Sequence, residues 1–359
     1  MAETKKRSFL SRFLFWIAAF LVAALLVVCY LSAIINPVKA WHLTVVGLLY
    51  IPILLLAVIF LFWAMFRRAG ISGLLLLALL PSVFLVGRYY QFKGNEVERY
   101  EGGLKVVSYN TGLFVHDRTG KKLSRQDLTD SVATFLRGTG ADVICLQEFL
   151  LPAKTDVASY FRSRFPGYNA EYWLLHSGPE GMAGNAILSR LPILGKGKID
   201  FDSSTNMALY TDILAQGVKF RVYNCHFESY NITIGAMAKS LKDEVELEAK
   251  ERKIKRSILR RADQVESVLK SMDECPIQCM VTGDFNENPL SYTYRRMIKG
   301  RKDSFVEVGK GFGATYSGLW PFLRIDYILY PTDLAPLWHE VRKVKYSDHY
   351  PIVAAFNLK

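Results

Sequence analysis

Three long uncharged stretches dominate the N-terminal part of this 359-residue chain, over residues 13–38, 40–66 and 69–87, the last interrupted by Pro81. An apolar helix needs about 20 residues to cross a bilayer, so the first two are long enough and the third is marginal. The first is too long for a cleaved signal peptide. The pattern predicts a membrane anchor over residues 1–88, with three transmembrane helices at about 13–36, 41–66 and 70–88.

Positive charges beside the spans predict their orientation. Four basic residues between Lys5 and Arg12 precede the first span, and Arg67 and Arg68 lie between the second and third. This bias places the N-terminus in the cytoplasm, and three spans send the rest of the chain across. We expect a multi-pass protein of the cell membrane, the inner membrane in a Gram-negative cell, whose remaining domain is periplasmic or extracellular. Without the third span, that domain would lie inside.

Beyond a polar linker at 89–103, the pattern changes to short apolar segments, several of which alternate apolar and polar residues as half-buried strands do. The predicted strands are 104–110, 142–146, 186–189, 208–214, 219–225, 277–282, 325–329 and 352–356. Helical patterns between them cover 127–138, 156–165 and 292–299. This alternation predicts one large α/β domain over residues 104–359, with a β core covered by helices.

The most regular helical pattern runs from about Ala236 to Met272. Its second half places apolar residues on one face with a 3.6-residue period. Its first half is dense in charge, with opposite charges four residues apart, as at Glu246 and Lys250. The sequence leaves two interpretations, a docking or lid helix beside a functional site and a solvated helix projecting from the domain.

The net charge of +12 lies mostly beside the predicted spans. The first 94 residues hold nine Lys or Arg and one acid, whereas the rest hold 36 basic and 32 acidic residues. Charge is therefore weak support for a nucleic-acid surface. The five cysteines form no zinc or CxxC pattern, and the oxidation state of Cys275 and Cys279, four residues apart, stays open.

Polar side chains follow or begin the predicted strands at six places: Asn110, Glu148, His226, Asp284 with Asn286, Asp326, and Asp348 with His349. Phosphodiester hydrolysis needs a cation, a base that orients water, and donors that hold the phosphate in line. Magnesium prefers oxygen ligands and keeps several waters, so one or two carboxylates and an amide suffice. The set predicts metal-assisted hydrolysis, although singly Asn and Asp also favour turns and Asp326 could pair with Arg324.

Seven motifs stand in order along the chain: SYN, LQE, GNAILSR, NCHFES, GDFNENP, RIDYIL and SDHYPI. Through them, residues 104–359 resemble the endonuclease/exonuclease/phosphatase superfamily, whose members include DNase I, exonuclease III-like nucleases, neutral sphingomyelinases and inositol polyphosphate 5-phosphatases. The resemblance implies a four-layer α/β sandwich, in which two packed mixed β-sheets are flanked by helices. It also implies a metal-dependent phosphoesterase that uses Mg2+, with Mn2+ as a substitute.

The resemblance further implies roles for single residues. Asn110, Glu148 and Asp348 correspond to the metal site, with Glu148 the principal ligand. Asp284 corresponds to the base that orients the attacking water, and Asn286 to a donor that holds this water or the phosphate.

For the phosphate, His226 would donate to a phosphoryl oxygen. Asp326 would fix the tautomer of His349 and stabilise its cationic form, and His349 would contact the phosphate. Asn185 and Arg190, in GNAILSR, are weaker candidates for phosphate contact, and Arg190 could equally pair with a surface carboxylate.

The expected function is a membrane-anchored phosphoric ester hydrolase that cleaves a phosphodiester or phosphomonoester by in-line attack of water. Its substrate stays open among nucleic acid, nucleotide, lipid head group and small phosphoester, and its membrane partner is the bilayer itself; no protein partner is predictable. The alternative is a non-catalytic membrane-tethered binding module on the same fold. The presence of both Glu148 and Asp284 argues against it, because such a module would not need them. A channel role is disfavoured because the apolar stretches 13–38, 40–66 and 69–87 hold no Asp, Glu, Lys or Arg.

Overall fold

The structure is a computed structural model that describes residues 2–67, 69–96, 103–202, 204, 206–230, 243–319 and 321–358, with side chains from residue 9 onward. It divides into two units. One comprises residues 1–87 with Leu290–Arg295, and the other comprises residues 88–289 with 296–359.

The described residues before residue 88, in the first unit, form the helices α1 (Ala2–Ser32), α2 (Pro37–Leu48), α3 (Tyr50–Phe66), α4 (Ile71–Leu79) and α5 (Ser82–Leu85). The α2 helix begins where it does because Asn36 accepts a hydrogen bond from the Val38 amide at 2.9 Å, and Pro37 occupies the first turn, where a missing N–H costs nothing.

Two segments of this unit, Phe9–Ser32 and Ile71–Arg88, are long and apolar enough to cross a membrane. Helices α2 and α3 also qualify when taken together, but they are bent by 59° at their junction. These three segments correspond to the three predicted spans. Large apolar side chains such as Phe20 and Phe84 are exposed on them, as lipid-facing residues are. Their passage through a membrane stays a prediction.

In the described part of the chain, the second unit has fourteen strands and five α-helices. The strands are β1 (Tyr90–Gln91), β2 (Leu104–Asn110), β3 (Val143–Leu151), β4 (Asn169–Gly178), β5 (Gly181–Ser189), β6 (Ile193–Asp200), β7 (Met207–Ala215), β8 (Val218–His226), β9 (Gln278–Asp284), β10 (Arg301–Asp303), β11 (Gly311–Phe312), β12 (Asp326–Pro331), β13 (Leu334–Val341) and β14 (Ile352–Leu358). The helices are α6 (Arg125–Gly138), α7 (Val157–Arg164), α8 (Glu244–Asp273), α9 (Tyr292–Met297) and α10 (Ser304–Val308). Part of α9 belongs to the first unit.

Twelve of the strands form two six-stranded sheets. The first has the order β13-β14-β2-β3-β5-β4, and the second has the order β10-β12-β9-β8-β7-β6. Each sheet is mixed, because β2 and β3 are parallel in the first, β8 and β9 are parallel in the second, and the other pairs are antiparallel. Strands β1 and β11 pair separately as a two-stranded ribbon.

Two apolar cores follow from alternation along the strands. Residues such as Val106 and Cys145 in the first sheet pack with Val222 and Met280 in the second, and form the core between the sheets. Their sequence neighbours point the other way, so that residues such as Val107 pack against apolar residues of α6 and α7. The predicted sandwich of two mixed sheets flanked by helices is confirmed.

The strongly patterned elements appear close to their predicted limits, whereas β1, β4, β6, β10, β11 and β13 were not predicted. Four of these, β4, β6, β10 and β13, are the edge strands of the two six-stranded sheets, and β4 and β6 expose much of their surface, which weakens the apolar signal. Helix α8 begins at Glu244 because Asp243 caps it, accepting from the amides of Val245 and Glu246. The predicted first turns of this helix, from Ala236, lie outside the described residues.

Candidate active site

Topology brings all six sequence-predicted strand-end positions to one edge of the sandwich. Asn110 ends β2, and its partner Gln147 is the last residue of β3 in the parallel pairing, so that Glu148 follows within β3 where this pairing stops. His226 and Asp284 end the parallel strands β8 and β9. Because β12 runs antiparallel to β9, its first residue Asp326 lies opposite Asp284. Strand β14 is likewise antiparallel to β2, so the residues just before it reach the same edge.

Asn110 joins the two sheets at this edge. Its side chain is buried, and its amide nitrogen donates to Asp284 Oδ2 at 3.0 Å and to Glu148 Oε1 at 3.3 Å. Its amide oxygen accepts from the Gly112 backbone N–H at 3.0 Å, which fixes the orientation of the group. Gly112 has φ +56°, and a Cβ there would lie 2.9 Å from Asp348 Oδ1, so a larger residue would be strained at this position.

A β-bulge aims Glu148 at the site. The pairing of β3 with β5 shifts register between Leu146 and Phe149, and Glu148 has φ +54°. Its backbone N–H donates to Asn185 Oδ1 at 3.1 Å, which holds this strained conformation. Burial raises the pKa of Glu148, but contact with His226 outweighs it and lowers the pKa to about 2. Glu148 is therefore a carboxylate at neutral pH.

His226 lies beside this carboxylate, with Nε2 at 3.2 Å from Glu148 Oε1. The approach lacks hydrogen-bond geometry, and among the described residues neither buried ring nitrogen has a hydrogen-bond partner. Burial lowers the pKa of His226, yet the charges of Glu148 and Asp284 raise it overall. A buried imidazole with an unused donor can bond to a ligand oxygen.

Asp284 is fully buried at the end of β9. The preceding Gly283 has φ +124°, and a Cβ there would lie 1.9 Å from Cys225 O, so only glycine permits this approach of β9 to β8. Burial and the neighbouring Asp326 charge raise the pKa of Asp284 to about 6. This value suits a carboxylate that takes up a proton near neutral pH.

Asn286 follows in a turn with φ +51°. Its backbone N–H donates to Asp284 Oδ1 at 2.8 Å, and its side-chain amide donates to Phe227 O at 2.9 Å. The turn thus positions the Asp284 carboxylate and ties it to the segment that follows β8.

Asp326 and His349 form a hydrogen-bonded pair, with His349 Nδ1 at 3.0 Å from Asp326 Oδ2. On the other side of the ring, Nε2 lies 3.8 Å from Asp284 Oδ2. Burial lowers the pKa of His349, but the charges of Asp326 and Asp284 raise it to about 10, so the ring is an imidazolium. Arg324 instead forms a buried ion pair with Asp303, so it is not the partner of Asp326.

The remaining predicted residues differ in their placement. Asp348 is partly exposed at the rim and accepts from Ser347 Oγ at 3.2 Å. Asn185 is buried, and its amide nitrogen has no hydrogen-bond partner in the described part of the chain. Arg190 is exposed just after the opposite end of β5, where it stacks at 4.7 Å over Tyr168. The structure does not bring Arg190 to this cluster.

Comparison with known families bears on this geometry. A model described as the Endonuclease/Exonuclease/phosphatase family matches residues 107–349, more than half of the chain. The chain belongs to this family. Members of the family are hydrolases, and the family depends on divalent metal. A second model, a domain of unknown function designated DUF8431, matches residues 11–89. The search of curated proteins found no match.

Solved structures share the family fold. An endonuclease/exonuclease/phosphatase family protein from Bacteroides thetaiotaomicron has a TM-score of 0.55 at 18% identity, covering 72% of this chain and 100% of its own. A mannosyl-6-phosphatase from B. thetaiotaomicron VPI-5482 has 0.53 at 18%, covering 70% and 99%. The catalytic domain of human nocturnin with bound sulfate has 0.52 at 16%, covering 72% and 94%. At these identities, the similarity concerns the fold.

The family's divalent metal fits the donor set at this edge. The carboxylates of Glu148, Asp284, Asp326 and Asp348 converge there, and hard cations prefer such oxygens. Ligand atoms of Asp284, Asp326 and His349 also lie within 4.8 Å of one another. His349 Nδ1 is already hydrogen-bonded to Asp326, whereas the ionised Glu148 could also hold the ion.

Three residues next to the site, Gln147, Asn224 and Arg118, had no role assigned from the sequence. Gln147 donates to Asn224 Oδ1 at 2.6 Å, and Asn224 in turn donates to Leu146 O and Ala186 O at 2.9 Å each, a buried polar clamp between the sheets behind the site. Gln147 and Asn224 lie within the motifs LQE and NCHFES. Alternation along their strands could have revealed that their side chains point between the two sheets. Arg118, which donates to Ser347 O at 2.9 Å, lies in a loop without any motif signal.

Proposed function

We propose that this protein is a membrane-anchored, Mg2+-dependent phosphoric ester hydrolase that cleaves its substrate by in-line attack of water. The observation that carries the proposal is the pair of hydrogen bonds from the Asn110 side-chain amide, one to the ionised Glu148 and one to the buried Asp284. A metal-binding carboxylate and a base are thereby fixed next to each other by the fold.

Asp284 orients the attacking water and accepts its proton, because its raised pKa of about 6 lies near neutral pH. The imidazolium of His349, held by Asp326, donates from Nε2 to a phosphoryl oxygen, and the unpartnered donor of His226 bonds to another. A divalent cation held by Glu148 and Asp348 would neutralise the phosphoryl and leaving oxygens. Asn110, whose amide nitrogen and not its oxygen faces Glu148, would position this ligand instead of binding the ion.

Fewer observations bear on the substrate class than on the reaction. The second unit carries no large excess of basic side chains, which gives little support to a duplex-binding groove. Tethering would raise the local concentration of a lipid substrate, whereas nucleic acid, nucleotides and small phosphoesters fit the same chemistry. We therefore propose phosphoester hydrolysis as the activity and choose the substrate by assay.

The test is hydrolysis by the full-length protein in detergent micelles, with Mg2+, Mn2+ or EDTA. The panel comprises plasmid DNA, bis-p-nitrophenyl phosphate, sphingomyelin and inositol phosphates. Asp284→Asn should lower turnover by about two to four orders of magnitude, and Glu148→Ala and His349→Ala should also lower it by orders of magnitude. The matched control is Asp130→Asn, at an exposed position on α6.

Wild-type turnover in a folded Asp284→Asn protein would refute the assignment of the base. Turnover that survives EDTA would refute the metal dependence. Silence across the panel together with no metal binding would favour the non-catalytic binding module, whereas silence with metal bound would move the search to other phosphoesters.

We also propose that residues 1–88 anchor the protein in the cell membrane through three spans, with the catalytic domain periplasmic or extracellular. The support is the apolar length of the three helical segments and the distribution of basic residues around them. A topology reporter fused after Lys359 checks this placement, and a signal confined to the cytoplasm would overturn it.

A further inference from the structure

A small aromatic surface lies on the catalytic unit just after the last predicted span. Strand β1 pairs with β11, with Tyr90 opposite Phe312, and Phe92 follows directly. The Tyr90 ring contacts the rings of Phe92 and Phe312, each with a centroid distance of 4.9 Å and an edge-on geometry. We call residues 90–92 and 311–312 the aromatic ribbon.

The aromatic ribbon exposes large apolar side chains. Phe92 is 80% exposed and Phe312 is 44% exposed. Burial of a phenylalanine side chain is worth about 1.5–3 kcal/mol, so this exposure forgoes a substantial stabilisation. Lys93 and Lys310 are exposed next to Phe92 and Gly311 in sequence, and Lys310 also forms an exposed ion pair with Glu96 at 3.3 Å. Aromatic rings flanked by lysine are the composition that occurs at the interface between a bilayer and water.

The aromatic ribbon is fastened to the catalytic unit. The Gly313 backbone N–H donates to Tyr89 O at 2.9 Å, and the Asn95 N–H donates to Val308 O at 3.1 Å. The Gln91 side chain donates to Val306 O at 2.8 Å. Residues 89–95, which the sequence places in a polar linker, are therefore held by hydrogen bonds and cannot act as a loose tether.

Chain length ties the aromatic ribbon to the membrane. The apolar segment Ile71–Arg88 ends four residues before Phe92. Four residues span at most about 14 Å when fully extended. The head-group region adds roughly 5–8 Å on each side of a hydrocarbon core of about 30 Å. If the segment crosses the bilayer, Phe92 cannot move far beyond the head groups.

We infer that the aromatic ribbon docks into the interface of the bilayer that holds the preceding helix, with Phe92 and Phe312 among the upper acyl chains and Lys93 and Lys310 towards lipid phosphates. The inference rests on the proposed anchoring and does not depend on the hydrolase activity. It makes the attachment of the catalytic unit to the membrane a second, interfacial contact in addition to the spans.

The test uses full-length protein in vesicles of phosphatidylcholine and phosphatidylglycerol at a ratio of about 3:1, an anionic surface that suits the lysines. Because Cys275 is the most accessible cysteine and the other four are buried, Cys275→Ser gives a background for labelling. An environment-sensitive dye is attached at Phe92→Cys or Phe312→Cys, and quenching by phosphatidylcholine with a nitroxide on its upper acyl chain is measured. The matched control is Leu194→Cys, another exposed apolar position.

We expect quenching at positions 92 and 312 to exceed that at position 194 at least about twofold, because a dye in the interface contacts the nitroxide. Equal quenching at the three positions would overturn the inference. Disulfide-linked dimers of Phe92→Cys without lipid quenching would also overturn it, and would assign the surface to a second copy of the chain.

A dye at Leu21→Cys, within α1, separates this inference from the anchoring. Lipid quenching at position 21 but not at 92 or 312 would refute the aromatic ribbon alone. For this position the nitroxide is placed near the end of the acyl chain, because Leu21 lies at the middle of the segment Phe9–Ser32. Absence of quenching by that lipid would refute the anchoring on which the inference rests.

Discussion

Removing the charge of Arg261 tests whether helix α8 supports the active site. Arg261 and Glu287 form an ion pair, and both are almost fully buried, at 1% and 2% exposure. Tyr230 accepts from Arg261 at 3.0 Å and donates to Glu287 at 2.8 Å. Glu287 lies three residues after Asp284, and Tyr230 lies four residues after His226, so the pair holds two segments that leave the site.

The charge state of the pair follows from its burial. Burial raises the pKa of Glu287, while the charge of Arg261 opposes this rise. A neutral Glu287 would leave a buried guanidinium without a counter-charge, so we assign the ionised pair. Arg261→Met then leaves a buried carboxylate uncompensated, which costs about 3–5 kcal/mol. For a unit of this size, that corresponds to a fall in Tm of roughly 10 °C.

The double variant Arg261→Met/Glu287→Leu should recover most of this loss, because an apolar pair of similar volume replaces a buried ion pair at little cost. A residual loss of about 1–2 kcal/mol is expected, since Glu228 O loses the hydrogen bond from Arg261 Nε and Tyr230 loses its partners. Arg252→Met, on the same helix, is the control. Its ion pair with Glu248 is mostly exposed, and its loss should cost less than about 0.5 kcal/mol.

Thermal unfolding in detergent, followed by tryptophan fluorescence, measures the four proteins, and hydrolysis is assayed at a temperature where all are folded. We expect the Arg261→Met protein to lose turnover although Asp284 and His226 are intact. An Arg261→Met protein as stable as Arg252→Met would refute the reasoning, as would a double variant less stable than the single one. Either result would return α8 to the role of a projecting solvated helix.

Three further predictions concern single groups. Glu148→Gln should weaken Mg2+ binding measured by calorimetry, whereas Asp326→Asn should leave this binding unchanged. Asp326→Asn should lower turnover by about two to four orders of magnitude, because His349 loses the partner that fixes its tautomer. If instead Asp326→Asn weakened Mg2+ binding and Glu148→Gln did not, the metal would lie on the trio of Asp284, Asp326 and His349. Turnover should fall as pH drops below the raised pKa of Asp284, about 6, because the base is then protonated, and a flat profile between pH 5 and 7 would contradict this. Burial and the nearby Arg324 lower the pKa of His339 to about 3, so below pH 6.5 the unfolded state binds the extra proton and the stability that His339 contributes at neutral pH is progressively lost. Between pH 7.5 and 5, urea unfolding should show wild type losing about 2 kcal/mol more than His339→Gln, and equal losses would refute the buried neutral histidine.

The sequence by itself determined the strands that carry chemistry and the residues at their ends. Apolar runs such as 104–110 and 277–282 end in Asn110 and Asp284, and their local pattern is independent of partners. The ordered motifs then implied the sandwich, which the structure has. Parallel strands bring such ends to one edge, so the meeting of these groups was also predictable.

Only the tertiary structure decided what depends on contacts distant in sequence. Strict alternation would turn Glu148 towards the α6 and α7 side of its sheet, and a bulge stabilised by Asn185 reverses it. Likewise, the sequence allowed either His349 or Arg324 as the partner of Asp326. In the fold, Asp326 is hydrogen-bonded to His349, and Arg324 forms an ion pair with Asp303.

The same reason explains the charged helix, the linker and Arg190. Periodicity predicts that α8 is amphipathic, but not that its Arg261 reaches a buried carboxylate beside the site. Polar composition predicts a linker after the spans, but not that its backbone pairs with β11. Arg190 lies only five residues after Asn185, yet the part of β5 between them places Arg190 at the end of the strand that is far from the site. Local pattern determines an element and its faces, whereas the partner of each side chain is selected by the energy of contacts that form only when the elements pack.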